Sequence, residues 1–356
     1  MSFFDSMWPP PSTIRDGRPS VNAHAAAGSL PIGQLHHERS QVLSDASLNQ
    51  EVMEAMKDSQ VSMLGLVVSP VLWGGNFLVG DMLADTLPGV WANLLRWLIA
   101  LIVLAPFCAG SVWSHRQVLA QHIKPIAVCA LLGVTLFNTL LYTALRLAPV
   151  NLAAITFALA PFMVLAFASV ARHHVPAPRE IAAATVAVVG MMLLQRNALQ
   201  DGVPFLGFAL CVMAAACWAG YCMAVQRLAV PAPAVAVYFT QIVVGAILLA
   251  PLAVFYGPPD LGAMGNFDWL CLGYLGVFAG AIAFWFWQGA IRRVGAEKAG
   301  IFMNIVPLTS IVVGTFTAGV HLNTVDILCC AMIVVAVYWS RPKVVFRPNP
   351  NKFLAT

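Results

Sequence analysis

The chain has 356 residues, of which 60% are apolar and only 10% are Asp, Glu, Lys or Arg, with a formal net charge of +4. Soluble chains are about 45–50% apolar and about 25% charged. There is too little polar surface here to cover a water-soluble globule, and too much apolar surface for disorder throughout. The composition points to an integral membrane protein that crosses the bilayer many times.

In chain order, residues 1–62 read as a disordered cytoplasmic tail. Pro9, Pro10, Pro11, Pro19 and Pro31 break any helix there, and no apolar run of signal-peptide kind is present. Only 42–56 carries a weak amphipathic period. Apolar stretches of the roughly 20 residues that a crossing needs then recur at 63–80, 88–107, 123–144, 151–171, 179–196, 204–226, 232–255, 267–290, 297–317 and 321–339. The runs are continuous rather than alternating, so helices are expected and not barrel strands. Residues 341–356 form a short C-terminal tail.

The connecting loops are short, and their charges give an orientation. With the N-terminus inside, sixteen Lys and Arg residues fall on the inner side and two, Arg146 and Arg196, on the outer side. Both termini are therefore expected in the cytoplasm. The eight cysteines show neither a CxxC pair nor a metal-ligand spacing. They read as small buried hydrophobes.

The chain repeats itself at an offset of about 145 residues. Trp73 falls on Trp218 and Pro106 on Pro251; one residue later in offset, Tyr142 falls on Gln288, Arg146 on Arg292 and Pro161 on Pro307. Five spans per half is an odd number, so the second half is inverted across the membrane. The expected fold is all-α, with ten transmembrane helices in two inverted five-helix repeats, 63–196 and 204–340. That is a plan of secondary transporters, with a substrate site near the midplane between the halves.

Polar residues inside apolar spans are the site candidates. Arg96 lies eight residues past Pro88 in the second span, about 12 Å along a helix. A charge there costs at least about 2.5 kcal/mol on insertion scales. It serves either as an anchor for a substrate anion or as a structural clip. Its repeat mate is Gln241. Thr135, Asn138 and Tyr142 share a face at i, i+3 and i+7, as do Trp285, Gln288 and Arg292. Each set is either cavity lining or helix–helix glue. The first span offers Trp73 and Asn76 and the sixth Trp218 and Tyr221, as cavity lining or as interface anchors; Trp73 and Trp218 lie about two to three turns inside their spans. Pro161 and Pro307 are expected to kink the fourth and ninth helices and to free the carbonyls of Phe157 and Met303, with Asn304 beside the second kink. No mid-span carboxylate offers a proton-coupling group.

These residues also carry a family likeness. WGGNF at 73–77, LLRW at 94–97 and LYTALRLAPVNLAAI…P at 141–161 together resemble the signature of EamA-type proteins in the drug/metabolite transporter superfamily. The likeness extends over about 63–340, in both halves. It implies a ten-span bacterial inner-membrane transporter, with export of amino acids, metabolites or drugs common in the family. The Gly-Glu pair often found after spans four and nine is replaced here by Arg172-His173 and Gly319-Val320, so no glutamate takes a role at either place.

The expected function is alternating-access transport of small organic metabolites, such as amino acids or drug-like compounds, with export favoured. A lipid-carrier flippase or a narrow-substrate permease is the alternative. A membrane-embedded enzyme is a weaker one, because no HExxH, GxSxG or Walker A pattern occurs in a fitting context. The expected partners are a small-molecule substrate and the lipid bilayer, with a homodimer left open. No nucleic acid, cofactor or metal is expected.

Overall fold

The computed structural model describes residues 63–148, 153, 156, 159–172, 177–194, 204–318 and 324–339. They lie within one compact unit, Ser62–Lys343. Both tails, Arg172-His173 beyond Arg172 and Gly319-Val320 lie outside the described residues.

The described chain is helical. The longer helices of the first half are, in order, α1 (Met63–Met82), α2 (Gly89–Ser114), α3 (Ile123–Leu145), α4 (Ala160–Arg172) and α5 (Pro178–Leu194), with a further short helix, Arg116–Gln121, between α2 and α3. The second half gives α6 (Phe205–Arg227), α7 (Ala234–Phe255) and α8 (Asn266–Val294). Then come α9, in two pieces (Ala296–Phe302 and Ile305–Ala318), and α10 (Thr324–Trp339). Six of these, α1, α2, α3, α6, α7 and α8, are long and apolar enough to cross a membrane by length and composition. They sit at the expected places to within a few residues. Helix α2 runs seven residues further than the apolar run, to Ser114, and just past its end Arg116 stacks on the exposed Trp113, 4.7 Å from the ring centroid.

Helices α2 and α7 begin alike, each after an N-cap proline, Pro88 and Pro233, whose φ suits a helix start. They pack against one another and run antiparallel, since Trp91 Nε1 near the start of α2 donates to the Gly257 carbonyl just past the end of α7 at 2.7 Å. The first helix of each half crosses to the third helix of the other. Along α1 and α8, Ser69 Oγ donates to Ala283 O (2.7 Å) and Trp73 Nε1 to Ala279 O (2.9 Å). The α6–α3 contact has the same antiparallel sense: Gly207 meets Ala148 and Gly220 meets Leu132. Gly74 and Gly75 let α1 approach its neighbours closely, because a side chain at Gly74 would collide with Thr309 and one at Gly75 with Tyr274.

Two stretches depart from α geometry. Ala130–Leu136 in α3 and Leu275–Ile282 in α8 are π-helical, and the two lie 145 residues apart. A π turn disturbs the i→i−4 ladder, and a carbonyl left over must find a donor because lipid supplies none. In α3, Val134 O accepts from Asn93 Nδ2 (2.9 Å) and Trp97 Nε1 (3.2 Å), and Gly133 O from Asn138 Nδ2 (3.3 Å). In α8, Gly280 O accepts from the Tyr238 hydroxyl at 2.7 Å. Asn93 and Tyr238 are themselves 145 residues apart, so both repeats tether the π segment of the third helix from the same position of the second.

The proline kinks resolve differently from the expectation of freed backbone. Helix α9 breaks at Met303 and Asn304, ahead of Pro307, and the Met303 carbonyl accepts from Val306 N at 3.0 Å. A tighter turn satisfies it, as helix ends commonly do. Pro161 is buried in the first turn of α4, where its missing N–H costs little. Phe157 lies outside the described residues. All eight cysteines are free thiols, buried or half-buried.

Candidate functional site

Helices α1, α2 and α3 bring four of the expected residues together. Arg96 is fully buried (0% exposed), and its Nη1 donates to Asn138 Oδ1 (2.6 Å), Tyr142 OH (2.7 Å) and Asn76 Oδ1 (3.2 Å). The Tyr142 hydroxyl donates in turn to Asn76 Oδ1 at 2.8 Å. Asn138 is oriented by the π segment: its amide nitrogen is held by Gly133 O, which turns the oxygen to Arg96. The guanidinium also stands 4.8 Å from the centroid of the Trp97 ring, a cation–π distance.

Two features of Arg96 matter chemically. Its hydrogen-bonded partners are neutral, so among the described residues the charge is buried without a carboxylate to meet it. Its Nε and Nη2 are buried and have no hydrogen-bond partner. A guanidinium presents Nε–H and Nη2–H side by side, the spacing that grips a carboxylate in two parallel bonds. The amide and phenol cluster thus holds one corner of the fork and leaves the carboxylate-binding edge unspent.

The repeat-equivalent positions build a neutral counterpart. Gln241 and Gln288 are buried and bond reciprocally, Gln288 Nε2 to Gln241 Oε1 at 3.0 Å and Gln241 Nε2 to Gln288 Oε1 at 3.4 Å. Arg96–Tyr142 and Gln241–Gln288 are the same helix-two to helix-three bridge, charged in one half and neutral in the other. Arg96 lies eight residues past Pro88 and Gln241 eight past Pro233. With α2 and α7 antiparallel, the two bridges lie toward opposite ends of the bundle.

An aromatic layer separates them. Trp73 meets Trp218 edge to face (4.9 Å between centroids, 84° between planes), Phe284 at 5.1 Å and Trp287 at 5.3 Å. Phe137 closes on Trp218 at 4.9 Å. Tyr221 lies 5.3 Å from Trp218 and packs on Gly133, where a side chain would overlap its ring. Between the layer and the Arg96 cluster is a void of ≈ 10 Å³ lined by Trp73, Asn76, Phe77, Phe137, Asn138 and Trp218, with Met303. That is about the space of one water, against roughly 300–1,000 Å³ for an open ligand site. The structure is a closed conformation at this level.

The other expected residues fall as follows. Trp285 stays out of the aromatic layer; it is 46% exposed and, with Gln288 and Arg292, borders a second void of ≈ 40 Å³. The shared face expected of those three is therefore present, whereas the layer takes Trp287 and Phe284, which sequence spacing did not single out. Thr135 does not join Asn138 and Tyr142. Its hydroxyl donates to Gly245 O on α7 at 3.1 Å, because it lies inside the π segment, where i, i+3 arithmetic no longer holds. Asn304 is buried, with Nδ2 on Ile301 O at 2.9 Å, at the break in α9. Trp97, under the Arg96 guanidinium, was legible only as the last letter of LLRW. No group of His, Cys, Asp and Glu capable of holding a metal occurs among the described residues.

Apolar helices long enough to span, a repeat with antiparallel partners and a buried polar cluster at the crossing of α1, α2 and α3 define a polytopic membrane protein. The profile of the EamA-like transporter family matches residues 60–196 and again 205–341, and the chain belongs to that family. Its relatives carry transporter names. It is 20% identical over 252 residues to "Uncharacterized transporter YyaM" of Bacillus subtilis (strain 168), covering 69% of this chain and 81% of the relative. It is 24% identical over 279 residues to a "Probable biotin transporter" of Pseudomonas aeruginosa, covering 77% of this chain and 95% of the relative. One protein of known crystal structure superposes with a TM-score of 0.64 at 20% identity, over 79% of this chain and 96% of its own, and so shares the fold.

Proposed function

We propose that the protein exports a small organic solute bearing a carboxylate, amino acids being the first class to consider, by alternating access across a bacterial inner membrane. Its two five-helix halves, 63–196 and 204–340, would be inverted and would rock about the aromatic layer. Ten helices cross, with both termini, the tail 1–62 and the tail 341–356 in the cytoplasm. The observation that carries this reading is Arg96: a buried, uncompensated guanidinium with its Nε–Nη2 edge unspent. Biotin, named for one relative, is itself a carboxylate on an apolar body, which suits an arginine beside tryptophans.

The reading is tested by growth under chemical challenge. Cells carrying the wild type, an empty vector or Arg96→Ala are grown on toxic amino-acid analogues, dipeptides, nucleoside analogues and cationic drugs. Resistance to carboxylate-bearing compounds, lost in Arg96→Ala at equal membrane levels, is the expected result. New sensitivity in the wild type would reverse the direction to import. Resistance confined to cationic drugs would overturn the carboxylate reading.

A further inference from the structure

Beyond the aromatic layer from Arg96, the half-buried Arg292 shares one of its features, an unspent guanidinium edge. It borders the ≈ 40 Å³ void between the start of α7 and the last turns of α8, with Tyr238, Trp285 and Gln288. Its Nε and Nη2 are buried and have no hydrogen-bond partner. No carboxylate pairs with it among the described residues; its ionisable neighbours are the Tyr221 phenol and the Cys129 thiol. Gln288, one turn earlier, is committed to Gln241.

An arginine in the last turn of a helix has an ordinary use, which is to donate to the final carbonyls and to complement the dipole. The Nε and Nη2 groups of Arg292 make no such bond, although α8 ends two residues later at Val294. Their edge is left for something that is not part of the described chain. The mouth of the void carries a half-exposed tryptophan, and Tyr238 links the void to the first site: its hydroxyl donates to Gly280 O at 2.7 Å, and a side chain at Gly280 would stand 3.7 Å from Arg96 Nη2.

We infer that Arg292 is a second oxyanion station, which takes the carboxylate of the solute on the opposite side of the aromatic layer from Arg96. The solute's acid group would pass between two guanidinium edges, each able to accept it in two parallel bonds. The neutral Gln241–Gln288 bridge between them supplies amides without a counter-charge that would compete. The identity of the anion rests on the carboxylate reading of Arg96; the existence of the second station does not.

The test uses the purified full-length protein in phosphatidylcholine nanodiscs, with arginine labelled at ¹⁵Nε. The Nε–H signals of Arg292 and Arg96 are assigned by their loss in Arg292→Lys and Arg96→Lys. Benzoate is titrated as the probe, with benzamide as its neutral match. A saturable shift of the Arg292 signal with benzoate and none with benzamide is the expected result. An Arg292 signal that ignores benzoate overturns the proposal, even if Arg96 responds and its own reading stands. A response at Arg292 but not at Arg96 would do the reverse. An Arg292 shift produced by replacing phosphatidylcholine with phosphatidylglycerol, and not displaced by benzoate, also overturns it, by making the site one for a lipid phosphate.

Discussion

Arg96 brings a positive charge into the interior of the bundle at a cost of at least about 2.5 kcal/mol, and Asn76, Asn138 and Tyr142 hold only one nitrogen of it. A purely structural clip would spend more of the fork. Arg96→Lys is therefore expected to insert normally and to transport at least about tenfold less well than wild type, since a point charge cannot reproduce the two parallel bonds; initial rates in cells with matched membrane levels check this. Tyr142→Phe removes an acceptor for Arg96 and a donor to Asn76. Hydrogen bonds between membrane helices average about 0.6 kcal/mol each, so losing these two is expected to cost about 1 kcal/mol, read as a lower midpoint in thermal unfolding in detergent. Arg96, Asn76, Asn138 and Tyr142 were legible in the sequence because polar side chains in apolar runs need a reason. Trp287 was not, because an indole in an aromatic-rich helix looks the same from sequence whether it faces lipid or core.

At the scale of the helix, the π segments decide which side chains meet. One extra residue in Ala130–Leu136 rotates everything after it, and it is the turn that follows, Phe137–Leu145, that carries Asn138 and Tyr142 to Arg96. Deleting Leu131, whose side chain is 39% exposed, should return α3 to α-helical register and turn that face by about 100° away from Arg96. Transport is expected to vanish while the protein still reaches the membrane; retained activity would show that the π segment is not what sets the site. Gly133→Val puts a side chain into the Tyr221 ring and is expected to destabilise by about 1–3 kcal/mol, with partial rescue by Tyr221→Ala in the same unfolding assay. Six spans were readable by hydropathy because burial and lipid exposure both demand apolar residues. The π segments were not, because the same small and aliphatic residues serve either helix, and that is why Thr135 was expected on the wrong face.

For the whole molecule, the repeat is the organising fact. Trp73 and Trp218, Asn93 and Tyr238, Arg96 and Gln241, and Tyr142 and Gln288 occupy equivalent places. The repeat was visible in the sequence as an offset, but its consequence was not. The equivalent bridges lie toward opposite ends of the bundle with the aromatic layer between them, and only one is charged. That asymmetry puts the guanidinium of the bridge in the first half alone and leaves an amide pair in the second. It also fits a closed structure whose central void holds about one water, since a carrier must shut both sides between its open states.

The central claim is that this transporter recognises a carboxylate through Arg96. The most direct measurement is uptake into proteoliposomes of purified protein, comparing the carboxylate compound selected by the growth panel with its primary amide, for wild type and Arg96→Ala. Saturable movement of the acid, little of the amide, and neither with Arg96→Ala is the predicted result. Equal transport of acid and amide, or undiminished transport of the acid by Arg96→Ala, would contradict the claim.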